Sequence, residues 1–201
     1  MDILILVLAA FAGLAFLNSQ EQKKRIALLS QHLGQYQIEA MMEKLTAGYL
    51  RALEETDDFR RDKIWEVLIA AEISIVNQFN RFTQDFAKVD ATAARVSTLP
   101  IALPWAERWW PAASFDLREA FRIHAKGIAE AAANQANQAP REKAYTFLAE
   151  LFLMQHTCHW FCRSRGIASA RLLRRHQTRH DQVLAAVAPP TRRAYAELTG
   201  L

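Results

Sequence analysis

Apolar residues fill the opening of the chain without interruption. From Ile3 to Leu17 every residue is apolar or small (ILILVLAAFAGLAFL); Asn18-Ser19-Gln20-Glu21-Gln22 and the basic triplet Lys23-Lys24-Arg25 follow. A bilayer-crossing helix uses about 20 apolar residues, with roughly 17 as the lower end. Counting Asn18 and Ser19 as interfacial, a small tilt or a thin bilayer brings the run into range. The pattern predicts a transmembrane anchor over residues 1–20 that meets the membrane through residues 3–19. Three readings compete with it. A cleaved signal peptide wants a positive leading region and a small-residue site after the apolar core, yet residue 2 is acidic and the A-x-A triplet Ala10-Phe11-Ala12 lies inside the run. A core helix apolar on every face has the same composition. A groove for a cofactor or partner is the third.

Beyond the anchor, apolar positions recur at helical intervals. Ile26, Leu29, Leu33, Tyr36 and Ala40 form one stripe, and Ile38, Met41, Leu45, Tyr49 and Leu53 a neighbouring one. Helix is therefore expected to continue from the anchor through Glu21 to about Glu55, with Gly34 marking a bend or a close contact. Asp57 or Asp58 can cap the next helix. From Phe59 to about Val89, the residues Ile64, Leu68, Ala71, Ile75, Phe79, Phe82, Phe86 and Val89 recur every three or four positions, which predicts a core-facing bundle helix or a coiled-coil strand.

The pattern breaks over residues 90–114. Pro100, Pro104 and Pro111 exclude a continuous helix there. Trp105, Trp109 and Trp110 give this Pro/Trp-rich connection its own apolar content; it can cap the bundle, meet a membrane interface, or bind a partner. Helical spacing resumes at Asp116, which stands in capping-box relation to Glu119, and runs through Phe121 and Ile128. Pro140 suits the first turn of a further helix reaching about Arg163. Gly166 is expected to break it, a helix from about Ala168 to Ala188 follows, and a short turn from Thr191 closes the chain. The prediction is an all-α fold: a single transmembrane helix, then a four- or five-helix bundle formed by residues 21–201.

Composition supports this, because glycine and proline number only six each and helix formers dominate. Charge adds more. The net charge of +4 hides an asymmetry: from Arg163 onward eight arginines meet only Asp181 and Glu197, which makes residues 163–201 a basic C-terminal segment. At the other end the basic triplet follows the anchor while Asp2 precedes it. The positive-inside rule then places the N-terminus outside and the main domain in the cytoplasm, as a single-pass protein of a bacterial-type inner membrane.

Cys158 and Cys162 lie one helical turn apart, at the limit of disulfide geometry, and read as free thiols. With His176 and His180 they form Cys-x3-Cys-x13-His-x3-His, a donor set that Zn²⁺ prefers. The stretch Leu173-x2-His176-x3-His180 resembles the helical half of a C₂H₂ zinc finger. The cysteines, however, sit in a helical segment where the finger has a hairpin, and the spacer is thirteen rather than the usual twelve, so neither the finger fold nor DNA recognition carries over. A helix hairpin turning at Gly166 would bring some of the four together. In the plainer reading the cysteines are small core hydrophobes, the histidines belong to a solvated face, and there is no cofactor.

Arg163, Arg165, Arg171, Arg174, Arg175 and Arg179 precede any acid in this segment, and Arg171, Arg174 and Arg175 share one helical face. Such a patch can meet an acidic protein partner, anionic lipid or nucleic acid phosphate, or remain solvated. His124 has no nearby nucleophile, and neither a nucleotide loop, a hydrolase elbow, a kinase or protease signature nor an internal repeat occurs, so no enzyme class is supported. The expected role is a non-catalytic, membrane-anchored scaffold or adaptor whose basic C-terminal helix contacts an anionic surface or protein partner. The alternative is a metal-dependent or thiol-redox sensor built on the Cys/His set.

Overall fold

The apolar run and the polar residues after it form one unbroken helix, as the sequence predicts. The computed structural model describes residues 2–201. Helix α1 covers Asp2–Leu33, and the chain then turns at Gly34, whose N–H donates to the Ser30 carbonyl at 2.8 Å. A Cβ at Gly34 would sit 2.8 Å from that same oxygen, so only glycine permits the turn. The bend expected at Gly34 is thus a complete break, which splits the stretch to Glu55 into α1 and α2 (Ile38–Glu54). Helix α3 (Asp58–Phe86) runs back along α2; Asp57 caps it by accepting the Arg60 N–H at 2.9 Å.

The connection at 90–114 is not wholly irregular. Strands β1 (Arg95–Ser97) and β2 (Ser114–Asp116) pair antiparallel, with Val96 opposite Phe115 and both side chains in the core. Between them lie a four-residue helix, α4 (Ala106–Trp109), and a 3-10 turn at Pro111–Ala113. Trp105 opens α4 in the left-handed region (φ 55°), a conformation that costs a tryptophan roughly 1 kcal/mol or more.

Helix α5 (Leu117–Ala132) is capped by Asp116, which accepts the Arg118 N–H. Glu119 pairs with Arg122 instead of completing a capping box. Helix α6 (Pro140–Cys162) starts at Pro140 as expected and is buried on nearly every side, which accounts for its lack of a polar face. Three sequence expectations fail beyond it. The break falls at Arg163–Ser164, where the Ser164 hydroxyl accepts the Ile167 N–H, while Gly166 lies inside α7 (Arg165–His176) and donates its N–H to Pro100. Gln177 adopts a left-handed conformation (φ 52°) that ends α7 and separates it from α8 (His180–Ala186). The closing turn is an 11-residue helix, α9 (Pro189–Thr199), with Tyr195 fully buried.

The chain is 77% helical, with nine α-helices among the described residues. Helices α2, α3, α5 and α6 form the four-helix bundle; the second half of α1 packs on α3 and α6, and α7 to α9 wrap α5 and α6. Phe79, Phe82 and Phe86, one apolar stripe of α3, close around Phe121 of α5, with the rings of Phe82 and Phe86 each 5.0 Å from it. Burying each such ring stabilises the fold by roughly 2–3 kcal/mol. Gly127 of α5 allows α9 to approach: a Cβ there would collide with Thr191 Oγ1 and Glu150 Oε2.

Two polar devices lie inside this core. Glu72 of α3 accepts from the Tyr49 hydroxyl of α2 and pairs with Lys143 Nζ of α6, joining three helices at one carboxylate. In the second, the Thr157 hydroxyl donates to the Leu153 carbonyl at 3.0 Å. It must then accept from the Tyr195 O–H at 3.0 Å and from His124 Nε2–H at 2.9 Å, which fixes the His124 tautomer.

Candidate functional site

The side chains of the first half of α1 are bare. Every residue from Ile3 to Leu17 is exposed, and burial begins only at Gln22 and Leu29. A core helix would be covered, so that reading fails. The most apolar 18-residue stretch of α1 has a mean hydropathy of 2.0, so by length and composition the helix is able to cross a membrane, a property that a signal sequence shares. The second half of α1 is clamped to the domain. Arg25 pairs with Glu107 of α4 at 2.9 Å, lies over the Phe161 ring at 5.6 Å and reaches the Phe161 carbonyl; Arg163 donates to Gln22. No local pattern marks this cluster, because Arg163 and Gln22 lie 141 residues apart.

The four proposed metal ligands do not converge, and among the described residues no three His, Cys, Asp or Glu side chains group to hold a metal ion. Cys158 and Cys162 face the space between α1, α2 and α6. His176 turns the other way, stacking on Phe152 at 3.8 Å and bonding to Gln155. His180 stacks on His156 at 4.1 Å. The facing register expected for a hairpin at Gly166 is lost because α7 ends at His176 and a new helix carries His180.

The thiols are also poorly suited to redox sensing. Burial pushes Cys162 up to about 11 and Cys158 higher still, so both remain protonated at neutral pH. We expect maleimide labelling at pH 7.5 to be about a hundredfold slower in the native protein than in guanidinium, measured by intact mass. Equal rates would place the thiols in solvent.

Most of the six arginines have internal partners. Arg163 binds Gln22, Arg165 lies 5.8 Å over the Trp160 ring, Arg179 pairs with Asp181, and Arg175 spans to Glu39 and Glu43 of α2 at 3.2 and 2.6 Å. Arg171 contacts His159 Nδ1 at 3.2 Å, and it and Arg174 are exposed. Burial, then the Arg171 and Arg175 charges, lower the His159 pKa and keep its ring neutral. The C-terminal basic segment is therefore a small cationic face on α7 rather than a run of six free guanidiniums.

This face adjoins a cleft that the sequence did not reveal. Ile26, Leu29, Leu33, Met42, Met154 and the cysteines line a largely apolar hollow of ≈ 260 Å³, to which Arg163, Arg171 and Glu39 contribute charged side chains. Next to it, Gln155, His156, His159, Arg171, Arg174 and Arg175 enclose ≈ 390 Å³. The lining comes from α1, α2, α6 and α7, so no local pattern marks it.

Of the three loop tryptophans, Trp105 is half-buried, whereas Trp109 and Trp110 are 72% and 54% exposed. The part of the loop that caps the bundle is the segment around Ala106 and Glu107, both buried. The chain matches no protein-family model, no curated protein and no solved structure.

Proposed function

We propose that the protein is a non-catalytic scaffold or adaptor held at a bacterial-type inner membrane. Helix α1 crosses the bilayer with its N-terminus outside, and residues 21–201 lie in the cytoplasm, where the α7 face receives a protein partner. The observation that carries this reading is the division of α1: one helix, apolar and bare through Leu17, then clamped into the core from Gln22. Lys23 and Lys24, both exposed, support the orientation.

The cleft supports the partner's chemistry. An apolar floor containing Met42 and Met154, beside exposed Arg171 and Arg174, suits an amphipathic helix with acidic flanks. Methionine adapts to an irregular apolar face, and the guanidiniums would select the acidic edge.

Alkaline carbonate extraction tests the anchor, and protease added to inverted vesicles tests its orientation. The full chain should stay in the pellet, and the domain should be digested from the cytoplasmic face. Release by carbonate, or a mature chain beginning after Leu17, would defeat the reading.

A further inference from the structure

The connection between β1 and β2 stands beside the point where α1 leaves its apolar run. Leu99, Ile101, Ala102 and Leu103 line a shallow cleft with Asn18, Glu21, Gln22 and Arg25 of α1. At 1.5 Å per residue, Asn18 to Gln22 covers only about 7.5 Å of helix axis beyond Leu17. That is about the depth of the headgroup layer on one side of a bilayer, whose total thickness exceeds its hydrocarbon core by about 10–15 Å. The Arg25 backbone lies about 12 Å beyond Leu17, but its side chain leans back along the helix to within 3.5 Å of Glu21. Its pair with Glu107, both side chains largely buried, holds the start of α4 near the level of Glu21, three residues before Trp109 ends α4.

The loop exposes three large apolar side chains. Ile101 is 61% exposed, and the rings of Trp109 and Trp110 are open as well. The same loop buries Ala106 and Glu107, so the exposure is not general. Tryptophan combines a large apolar body with one N–H donor, the combination favoured at the lipid–water boundary. Exposed Arg108 lies next to Trp109 in α4, and exposed Lys23 and Lys24 follow the apolar run on α1, so this end of the domain carries the charge that anionic lipid attracts.

We propose that Ile101, Trp109 and Trp110 seat in the headgroup layer of the bilayer that α1 crosses, on the side of the main domain. The domain then rests against the membrane at two places, the span and the loop, and its rotation about the span is fixed. This rests on α1 being a retained span. Ile101 shares a cleft with Asn18, the first residue past the apolar run, which is why lipid rather than a soluble partner is the occupant.

The test uses the full chain reconstituted in vesicles of phosphatidylcholine and phosphatidylglycerol with acyl chains brominated near the carbonyls. Flotation reads the span, and bromine quenching of tryptophan emission reads the loop. Wild type should float and be quenched. The double variant Trp109→Phe, Trp110→Phe should float equally and lose most of that quenching, because Trp65 and Trp105 are half-buried and Trp160 is buried. Ile101→Asp should float while its quenching falls, which tests the contact without removing a fluorophore. Equal quenching of wild type and the double variant, with flotation intact, overturns the loop contact and leaves the anchor standing. So does a wild type that floats with Trp109 and Trp110 still open to aqueous iodide, the pattern expected if the loop is a docking surface for a soluble partner absent from the vesicles. A chain that does not float overturns both.

Discussion

Replacing Glu72 with alanine will lower the stability of the helical domain by about 3–5 kcal/mol, the usual cost of removing one partner from a buried ion pair. Glu72 is buried and sits where α2, α3 and α6 meet, holding the Tyr49 hydroxyl and Lys143 together. Burial, reinforced by the Glu72 charge, pushes the Tyr49 phenol far above its ordinary value, so it remains a donor. Alanine would leave that hydroxyl without its acceptor and the Lys143 ammonium, largely covered, without a counter-charge. Glutamine keeps the Tyr49 bond and should be milder, and Tyr49→Phe should cost only about 1 kcal/mol. Denaturant midpoints of the detergent-solubilised protein, followed by circular dichroism, would rank the three. An alanine variant as stable as wild type would show that the helices do not depend on this junction.

Acid will loosen the other end of the domain. Burial lowers His124 to about 3 and His156 to about 2, the latter helped by His180, His159, His124 and Arg165 around it. Both rings are therefore neutral in the fold, while in the unfolded chain they take up protons near pH 6.5. Stability from this source is complete above pH 6.5 and is lost as pH falls; at pH 5 each ring costs about 2 kcal/mol. Glu150 acts in the opposite sense. Burial raises it to about 7 against the Ala188 N–H and Thr191 hydroxyl, so its destabilising effect grows as pH rises from 4.5 through 7. Between pH 7 and 5 it returns about 2 kcal/mol, which partly offsets the histidines. Glu150→Gln should therefore be more stable than wild type above pH 7 and fall more steeply toward acid. Thermal midpoints from pH 8 to 4.5 for the two proteins check both signs; parallel curves would exclude Glu150 as the opposing group.

The elements legible in the sequence are those set by local chemistry. The α3 stripe reads cleanly because each apolar position meets the same neighbouring helices along its length. Asp57, Asp116 and Pro140 mark helix starts because their backbone role is decided within three residues. The strands β1 and β2 were missed because three residues are too few to show alternation. The end of α7 was missed because a glutamine, not a glycine, takes the left-handed position, while the nearby glycine lies within helix. Long-range pairing decided the candidate site. Sequence spacing could place Arg175 on a basic face, but not show that Glu39 and Glu43 meet it, nor that His176 and the cysteines face different neighbours.

Helix α1 contains no proline, and its hydrogen-bonded ladder runs from the apolar end to Leu33, where it abuts the bundle. A lever without an elbow transmits angle. In the membrane arrangement proposed above, a bilayer that changes the lean of the first half would tilt the bundle and its methionine-floored cleft as one body, within the limit that the loop contact sets. Lipid composition would then bias which way the cationic α7 face looks, with no ligand bound and no helix unwound.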